Sequence, residues 1–433
     1  MHRFGRRSHS GELTARTSGQ PPAPAAPRRA ADTLRVLGPG LVAGASDTDP
    51  TTVGAVAVVG ATTVFGLAWL TLLIAPALVV IQVIATRVGV LGRVDLQSAV
   101  RDRRRPAGRW LLLTSIVVVT VLTLAADLEA GGAALGILTG VPTAWLVTPL
   151  AVVLLALLFV GTHAGIVRAL KYVALALVAY AVSACLTNVP WGQVLHHSLV
   201  PNFSWSRNDL AGALALLGTT VTSYVYVWQT IALAEERPAR SQLRVRETDA
   251  AIGIVFAVAI IWFILVATGA TLGVHHQTVN SAQDAARALR PLAGSAASVV
   301  FGIGLLASAL VAVPVLMSTA GYVVGAEFRW RRGISEPVSH APRFYAALGV
   351  CTLVAVLITF SNLSAIQLLF DASIAGGIGT PVGLAYLLVV AQDRTLMHGE
   401  PIGRPLAVAG WLVTGAVGLL SALYLLNLLL SSH

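Results

Sequence analysis

The sequence predicts an all-α, multi-pass membrane protein with about eleven transmembrane helices. Of its 433 residues, 56% are hydrophobic and only 11% are charged, a composition typical of polytopic membrane proteins. Its basic residues are sorted between alternate loops, and two of its apolar stretches are interrupted by polar residues near their middles. The first two observations predict the fold class, and the third indicates where to look for a site.

The transmembrane helices follow from the length of the apolar stretches. A helix needs roughly 20 predominantly apolar residues to cross a hydrocarbon core about 30 Å thick. Such stretches occur at 34–61, 64–86, 110–138, 144–162, 167–187, 210–234, 250–273, 296–326, 343–360, 363–391 and 405–430. The fourth is the shortest, and the eighth is long enough to tilt or to extend beyond the bilayer.

The positive charge of the chain predicts its orientation. All but three of the 29 Lys and Arg residues fall on one side of the membrane when the spans are threaded in order. The excess of basic residues in cytoplasmic loops therefore predicts a cytoplasmic N-terminus and a C-terminus outside the cell membrane. Because the charge is sorted in this way, the net charge of +10 does not indicate nucleic-acid binding. Residues 1–33 are rich in Arg, Pro, Ala and Ser, and they predict a disordered cytoplasmic tail.

The first predicted span is interrupted by the hexapeptide Asp47-Thr48-Asp49-Pro50-Thr51-Thr52. Eleven residues of helix before it would rise roughly 16 Å, about half of the hydrocarbon core. Pro50 removes a helical N–H and disfavours helix at the preceding residue, so nearby carbonyls lose their donors. Carboxylates at this depth are costly unless they face a partner, a cavity or a cation. A Pro-kinked helix with paired acids is the alternative.

The sixth predicted span carries a matching interruption. Four hydroxyl residues occupy five positions from Thr219 to Ser223, again roughly 15–20 Å deep. Spans one and six are corresponding members of two five-span halves, about 34–187 and 210–391, that run in opposite directions, with 405–430 as an extra helix. Interrupted segments at matched positions of inverted halves indicate the central site of a secondary transporter.

These motifs resemble those of the Nramp family of divalent-metal transporters, the natural resistance-associated macrophage proteins. Gly38-Pro39-Gly40-Leu41 followed by Asp49-Pro50 resembles the first-helix signature Gly-Pro-Gly then Asp-Pro-Gly-Asn. The run from Gly218 to Tyr224 resembles the sixth-helix signature Gly-Ala-Thr-Val-Met-Pro-His. Asp127-Leu128-Glu129 is similar to the acidic third-helix segment, with different spacing. The resemblance runs from about Gly38 to the last span, and it implies the LeuT-type 5+5 inverted repeat with discontinuous helices 1 and 6.

The chain departs from the family pattern at most of the site positions. The metal-binding Asp is retained as Asp49. Five other family residues are replaced in this chain. The family's Asn corresponds to Thr52 and its Met to Thr222, its two sixth-helix His correspond to Tyr224 and Gln229, and its tenth-helix Gln corresponds to Ala375. This substituted set resembles the Nramp-related branch associated with magnesium and manganese.

An all-oxygen metal site is the resulting expectation. Oxygen ligands suit Mg²⁺ and Mn²⁺, whereas thioether and imidazole ligands favour softer metals. We expect alternating access with Mg²⁺ or Mn²⁺ as the transported substrate and with no cofactor. The expected metal-binding residues are Asp49, Thr52, Ser46, Thr219, Thr222 and Asp47. Asp47 would be either a ligand or a polar helix-packing contact.

Three further acids lie within predicted spans. Intramembrane acids are candidates for ion or proton paths, and we expect such roles for Asp127, Glu129 and Asp371. For Asp127 and Glu129 an interhelical polar contact is the alternative. The chain has Tyr224 and Gln229 where proton-coupled relatives carry His, and neither exchanges protons near pH 7. Weak or absent proton coupling is therefore expected, with a proton-coupled Mn²⁺/Fe²⁺ symporter as the alternative.

Other functional classes fit the sequence less well. An intramembrane aspartyl protease would need Asp after a Gly-x-Gly motif, but Gly377-Ile378-Gly379 is followed by Thr380. All ten His residues lie in predicted loops or tails, so serine and zinc proteases are disfavoured. A Na⁺-coupled transporter of an organic anion on the same fold would be repelled by Asp49 and Asp47. We expect the lipid bilayer as a partner, no nucleic-acid partner and no obligate protein partner. We also expect no enzymatic activity.

Overall fold

The computed structural model describes residues 48–103, 106–160, 182, 184–186, 189–290, 294–361 and 363–430. Within these ranges every regular element is a helix, which confirms the all-α prediction. The main helices are α1 (Pro50–Thr63), α2 (Ala68–Arg87), α3 (Leu96–Arg103), α4 (Pro106–Thr139), α5 (Thr143–Val160), α6 (Trp191–Leu199), α7 (Arg207–Thr220), α8 (Ser223–Glu236), α9 (Leu243–Thr268), α10 (Ala282–Ala286), α11 (Ala297–Glu327), α12 (Pro342–Thr359), α13 (Ala365–Gln392) and α14 (Arg404–Leu430).

The described helices agree with ten of the eleven predicted spans. Eight helical segments are long and apolar enough to cross a membrane, and two shorter apolar helices, Pro50–Thr63 and Thr143–Phe159, lie in the first and fourth predicted spans. Nearly all of the fifth predicted span, the predicted tail 1–33, Ser46 and Asp47 lie outside the described residues. The division into repeats at about 34–187 and 210–391 stays a prediction.

The ends of two spans differ from the predicted positions. α4 begins at Pro106 and α9 at Leu243, several residues before the predicted starts at 110 and 250. In α9 the added turns contain Arg244, Arg246 and Glu247, so the helix continues beyond its apolar stretch. Hydropathy locates the part of a helix that lies in lipid, and it does not detect a polar extension.

A helix starts at the first predicted interruption, and the second interruption lies between the end of one described helix and the start of the next. α1 begins at Pro50, where proline is well tolerated because the first helical N–H has no intrahelical partner. Asp49 is its N-cap. In the sixth span α7 ends at Thr220 and α8 begins at Ser223, with the intervening Thr222 in an extended conformation. The hydroxyl-rich run therefore marks a real break between two helices.

The helix packing places both breaks in the interior of the protein. The long helix α4 packs against α5, α11, α12 and α13, while α1 packs against α7, α9 and α13. Gly218 allows α7 to approach α13 closely, because a Cβ there would lie 1.9 Å from the carbonyl oxygen of Ser373. Such close packing at small residues is typical of membrane helices. It brings the end of α7 and the start of α1 beside α13.

Candidate metal site

The start of α1 is held by the carboxylate of Asp49. Its Oδ1 accepts a hydrogen bond of 2.7 Å from the backbone N–H of Thr52, which is a regular N-cap arrangement. Its Oδ2 accepts a hydrogen bond of 2.7 Å from the hydroxyl of Tyr224 on α8. Asp49 is only 1% exposed. The break therefore presents a buried carboxylate that joins the first and sixth spans.

A second carboxylate binds the same turn of α1. Oδ1 of Asp127, on α4, accepts hydrogen bonds from the backbone N–H of Thr51 at 3.0 Å and from its hydroxyl at 2.6 Å. Oδ2 of Asp127 has no hydrogen-bond partner among the described residues, and the side chain is fully buried. The positive end of the helix dipole lies here and stabilises negative charge. Asp127 thus makes an interhelical polar contact, the alternative considered for it, and it does so at the start of α1.

Hydroxyl groups complete the lining between the two interrupted spans. The hydroxyls of Thr52 and Thr219 are 2.8 Å apart. The hydroxyls of Thr222 and Ser223 are buried and have no hydrogen-bond partner in the described part of the chain. Thr220 behaves differently, because its hydroxyl bonds back to the carbonyl of Leu216 within the helix. Only part of the predicted hydroxyl cluster is therefore available to a ligand.

The breaks are fixed from outside by neighbouring helices. The hydroxyl of Ser308, on α11, donates to the carbonyl of Thr48 at 2.6 Å. The hydroxyl of Thr380, on α13, donates to the carbonyl of Val221 at 3.1 Å. These bonds satisfy backbone carbonyls that the broken helices cannot satisfy themselves, as a membrane interior requires.

Several of these groups line a narrow space between the helices. It is too narrow for a water-sized sphere, so the side chains close upon one another. Its lining consists of Asp49, Thr51, Thr123, Gly218, Thr219, Thr222, Tyr224, Ala372 and Ser373. Among the described residues no Lys, Arg or His side chain is buried. Two buried carboxylates without a buried basic partner make this space favourable for a cation and unfavourable for an anion.

The structure brings together most of the described residues that the sequence indicated. Asp49, Thr219 and Thr222 line the cavity directly, and Thr52 binds both Asp49 and Thr219. None of the three predicted path acids is in the lining: Asp127 is bonded to the lining residue Thr51, Glu129 is half-buried on α4, and Asp371 is exposed on α13. Their assignment to an ion or proton path stays a prediction.

Sequence reasoning missed four of the lining residues and gave a fifth, Tyr224, no place in the site. Thr51 adjoins the Asp-Pro break, and Thr123 lies one turn before Asp127 on the same face of α4. Helix α13 contributes Ala372 and Ser373 to the lining, and not Ala375, which was matched to the family's Gln. Tyr224 was noted only as a replacement for His. The position of Tyr224 directly after the hydroxyl run, within an apolar span, could have indicated that it lies in the site.

Comparisons with solved structures support the fold. A manganese transporter of Eremococcus coleocola, in complex with an aromatic bis-isothiourea substituted compound, superposes with a TM-score of 0.72 at 18% identity, over 92% of this chain and 87% of that one. The transporter MhsT, in complex with L-phenylalanine, superposes with a TM-score of 0.59 at 15% identity, over 91% and 98% of the two chains. The described helices thus adopt the LeuT-type transporter fold.

Comparisons of sequence identify the family. A divalent metal cation transporter, MntH, of Ralstonia nicotianae is 29% identical over 408 residues, which cover 87% of each chain. An MntH of Deinococcus radiodurans is 26% identical over 430 residues, 96% of this chain and 95% of its own. The family model described as natural resistance-associated macrophage protein-like matches residues 40–427. The chain therefore belongs to the Nramp family.

Proposed function

We propose that this protein transports divalent metal cations across the membrane, with Mn²⁺ as the favoured substrate. The observation that carries the proposal is the Asp49 carboxylate, buried at the start of α1 beside hydroxyls from both interrupted spans. A divalent cation gains more Coulomb energy from a buried carboxylate than a monovalent cation does. The relatives described as divalent metal cation transporters, and the fold shared with a manganese transporter, support the same conclusion.

The proposed ligands are the Asp49 carboxylate, the hydroxyls of Thr52 and Thr222, and the backbone and hydroxyl oxygens at Thr219. All of these are hard oxygen donors, which suit Mn²⁺ and also Mg²⁺. Ser46 and Asp47 remain proposed contributors from outside the described residues. Since the cavity is closed around its own side chains, binding requires α1, α7 and α8 to separate slightly. Such a movement is the local step of an alternating-access cycle.

The proposed mode of action is that of a secondary transporter and not of an enzyme. The helices that are long and apolar enough to span the bilayer cross it. The loop charges indicate that the N-terminus is inside and the C-terminus outside. A binding site between two broken helices can be exposed to each side in turn. One carboxylate with neutral oxygens binds a divalent ion weakly enough to release it.

The proposal is tested by uptake into proteoliposomes with Mn²⁺ and Mg²⁺ measured side by side. Asp49→Asn is the informative variant, because Asn caps a helix as well as Asp does but carries no charge. We expect it to insert and fold normally and to lose uptake of both ions. Glu400→Ala removes an acid from an exposed loop and should retain wild-type uptake. Normal Mn²⁺ uptake by a correctly inserted Asp49→Asn protein would exclude the proposed site.

A further inference from the structure

Both oxygens of the Asp49 carboxylate are already engaged by hydrogen-bond donors. The backbone N–H of Thr52 occupies Oδ1, and the hydroxyl of Tyr224 occupies Oδ2, each at 2.7 Å. The first bond belongs to the start of α1 and lies within one turn of helix. The second joins α8 to the first span across 175 positions of sequence. Only the second can change when the two broken spans move relative to each other.

The hydrogen bond between Tyr224 and Asp49 joins two residues that line the space between the interrupted spans. Both side chains line the same closed space, and both are 1% exposed. A cation that reaches the carboxylate from this space comes to the position where the phenol hydrogen lies. Both the hydrogen of a donated O–H group and a metal ion are electropositive, and they cannot occupy the same lone pair of one oxygen.

We propose that the Tyr224 hydroxyl competes with the transported metal for Oδ2 of Asp49. This inference rests on the proposed function. The arriving ion displaces the hydroxyl, and the hydroxyl takes the oxygen back as the ion leaves. Hydrogen bonds to charged groups are among the stronger ones in proteins, so the competition lowers the affinity for every cation. Tyr224 thereby sets the balance between capture and release.

The structure offers a matched control for this role. Tyr226, two residues further along α8, is equally buried, but its hydroxyl points to the carbonyl of Thr380 at a long distance of 3.4 Å. It does not line the cavity. Tyr226→Phe therefore removes a buried hydroxyl from the same helix without touching Asp49.

The test uses full-length purified protein, with MnCl2 as the probe. Calorimetric titration gives Kd, and uptake into proteoliposomes gives KM and kcat. For Tyr224→Phe we expect Kd and KM to fall on the order of tenfold, since one hydrogen bond to a carboxylate no longer competes. The value of kcat should fall as well, because the ion leaves more slowly. Tyr226→Phe should leave all three values unchanged.

Two results would overturn the inference. A rise of Kd and KM in Tyr224→Phe would mean that the phenol oxygen is itself a ligand, and values equal to those of Tyr226→Phe would mean that the hydroxyl has no part in binding. If Tyr224→Phe does not fold, Tyr224→Leu also lacks the hydroxyl and carries the same expectation. In wild-type protein with isotope-labelled tyrosine, MnCl2 should shift an infrared phenol band, and no shift would refute the competition. Failure of wild-type protein to bind Mn²⁺ would instead refute the proposed function.

Discussion

The carboxylate of Asp127 holds Thr51 by two hydrogen bonds, one to its backbone N–H and one to its hydroxyl. Both bonds use Oδ1, so α4 fixes the first turn of α1 through a single oxygen atom. The other oxygen, Oδ2, is buried without a hydrogen-bond partner in the described chain. The acid predicted as a path residue therefore supports the helix start that carries the proposed metal site.

Proton movement is the first property to test at this acid. Tyr224 and Gln229 occupy the two positions of the sixth span that are matched to the family's His residues. Tyr224 donates a hydrogen bond to Asp49, and Gln229 donates one to Thr86. Neither side chain gains or loses a proton near pH 7. We expect Mn²⁺ uptake to acidify the liposome lumen little or not at all, as read from a trapped pH dye. Strong metal-dependent acidification that disappears in Asp127→Asn would contradict this prediction.

Replacement of Thr222 by Met should change metal preference. The Thr222 hydroxyl lines the cavity and has no hydrogen-bond partner among the described side chains. Methionine replaces this hard donor with a soft sulfur and fills space that a partly hydrated Mg²⁺ needs. In competition uptake we expect the preference for Mn²⁺ over Mg²⁺ to rise severalfold. Thr222→Val removes the hydroxyl without adding sulfur, and it should weaken the binding of both ions alike. An unchanged ratio of Mn²⁺ to Mg²⁺ uptake in Thr222→Met would place residue 222 outside the ligand set.

The contact between α7 and α13 should not tolerate a methyl group at Gly218. A Cβ there would lie 1.9 Å from the carbonyl oxygen of Ser373 and 2.3 Å from the backbone nitrogen of Gly377. Backbone atoms cannot move aside as a flexible side chain can, so Gly218→Ala must push the helices apart. We expect a lower unfolding temperature in detergent and loss of uptake.

Gly415 provides the control for this substitution, because a Cβ at this position of α14 meets no atom within 4 Å. Gly415→Ala should be neutral or stabilising by up to about 1 kcal/mol, through helix propensity. Equal stability of the two alanine variants would show that α7 and α13 can separate without cost.

A partly buried ion pair should stabilise the end of α11. Glu327, whose side chain is 2% exposed, lies 3.0 Å from Nε of Arg109, and it accepts a 2.9 Å hydrogen bond from Gln97. Breaking a buried pair costs about 3–5 kcal/mol when the remaining charge is fully buried. Because Arg109 is 34% exposed, we expect Glu327→Gln to cost less, on the order of 1–3 kcal/mol.

The exposed pair of Arg240 and Glu400 is the comparison, since both side chains are about half exposed. Such surface pairs contribute about 0–1 kcal/mol, so Glu400→Gln should hardly change the unfolding temperature. The measurement is thermal unfolding of both variants in the same detergent. A destabilisation by Glu400→Gln as large as that by Glu327→Gln would show that burial does not decide the strength of these pairs.

The sequence by itself determined the order of the ten spans in which helices are described and the positions of the two interruptions. Both are local properties: an apolar stretch of sufficient length must form a helix in lipid, and Pro50 ends helical bonding at the residue before it. The location of Asp49 within an interrupted span followed from the same argument. The oxygen donors at Thr52, Thr219 and Thr222 were predicted from the resemblance to the Nramp family, and their role as ligands stays a prediction.

Only the tertiary structure decided which of these side chains meet. Thr52 and Thr219 are 167 residues apart, and Thr51 and Asp127 are 76 apart, yet each pair is within hydrogen-bonding distance. Whether a hydroxyl faces the cavity depends on how far each helix is rotated against its neighbours. This rotation is set by packing contacts such as that of Gly218 with α13. For this reason the sequence could name Tyr224 as a substitution, and the fold alone could place its hydroxyl on Asp49.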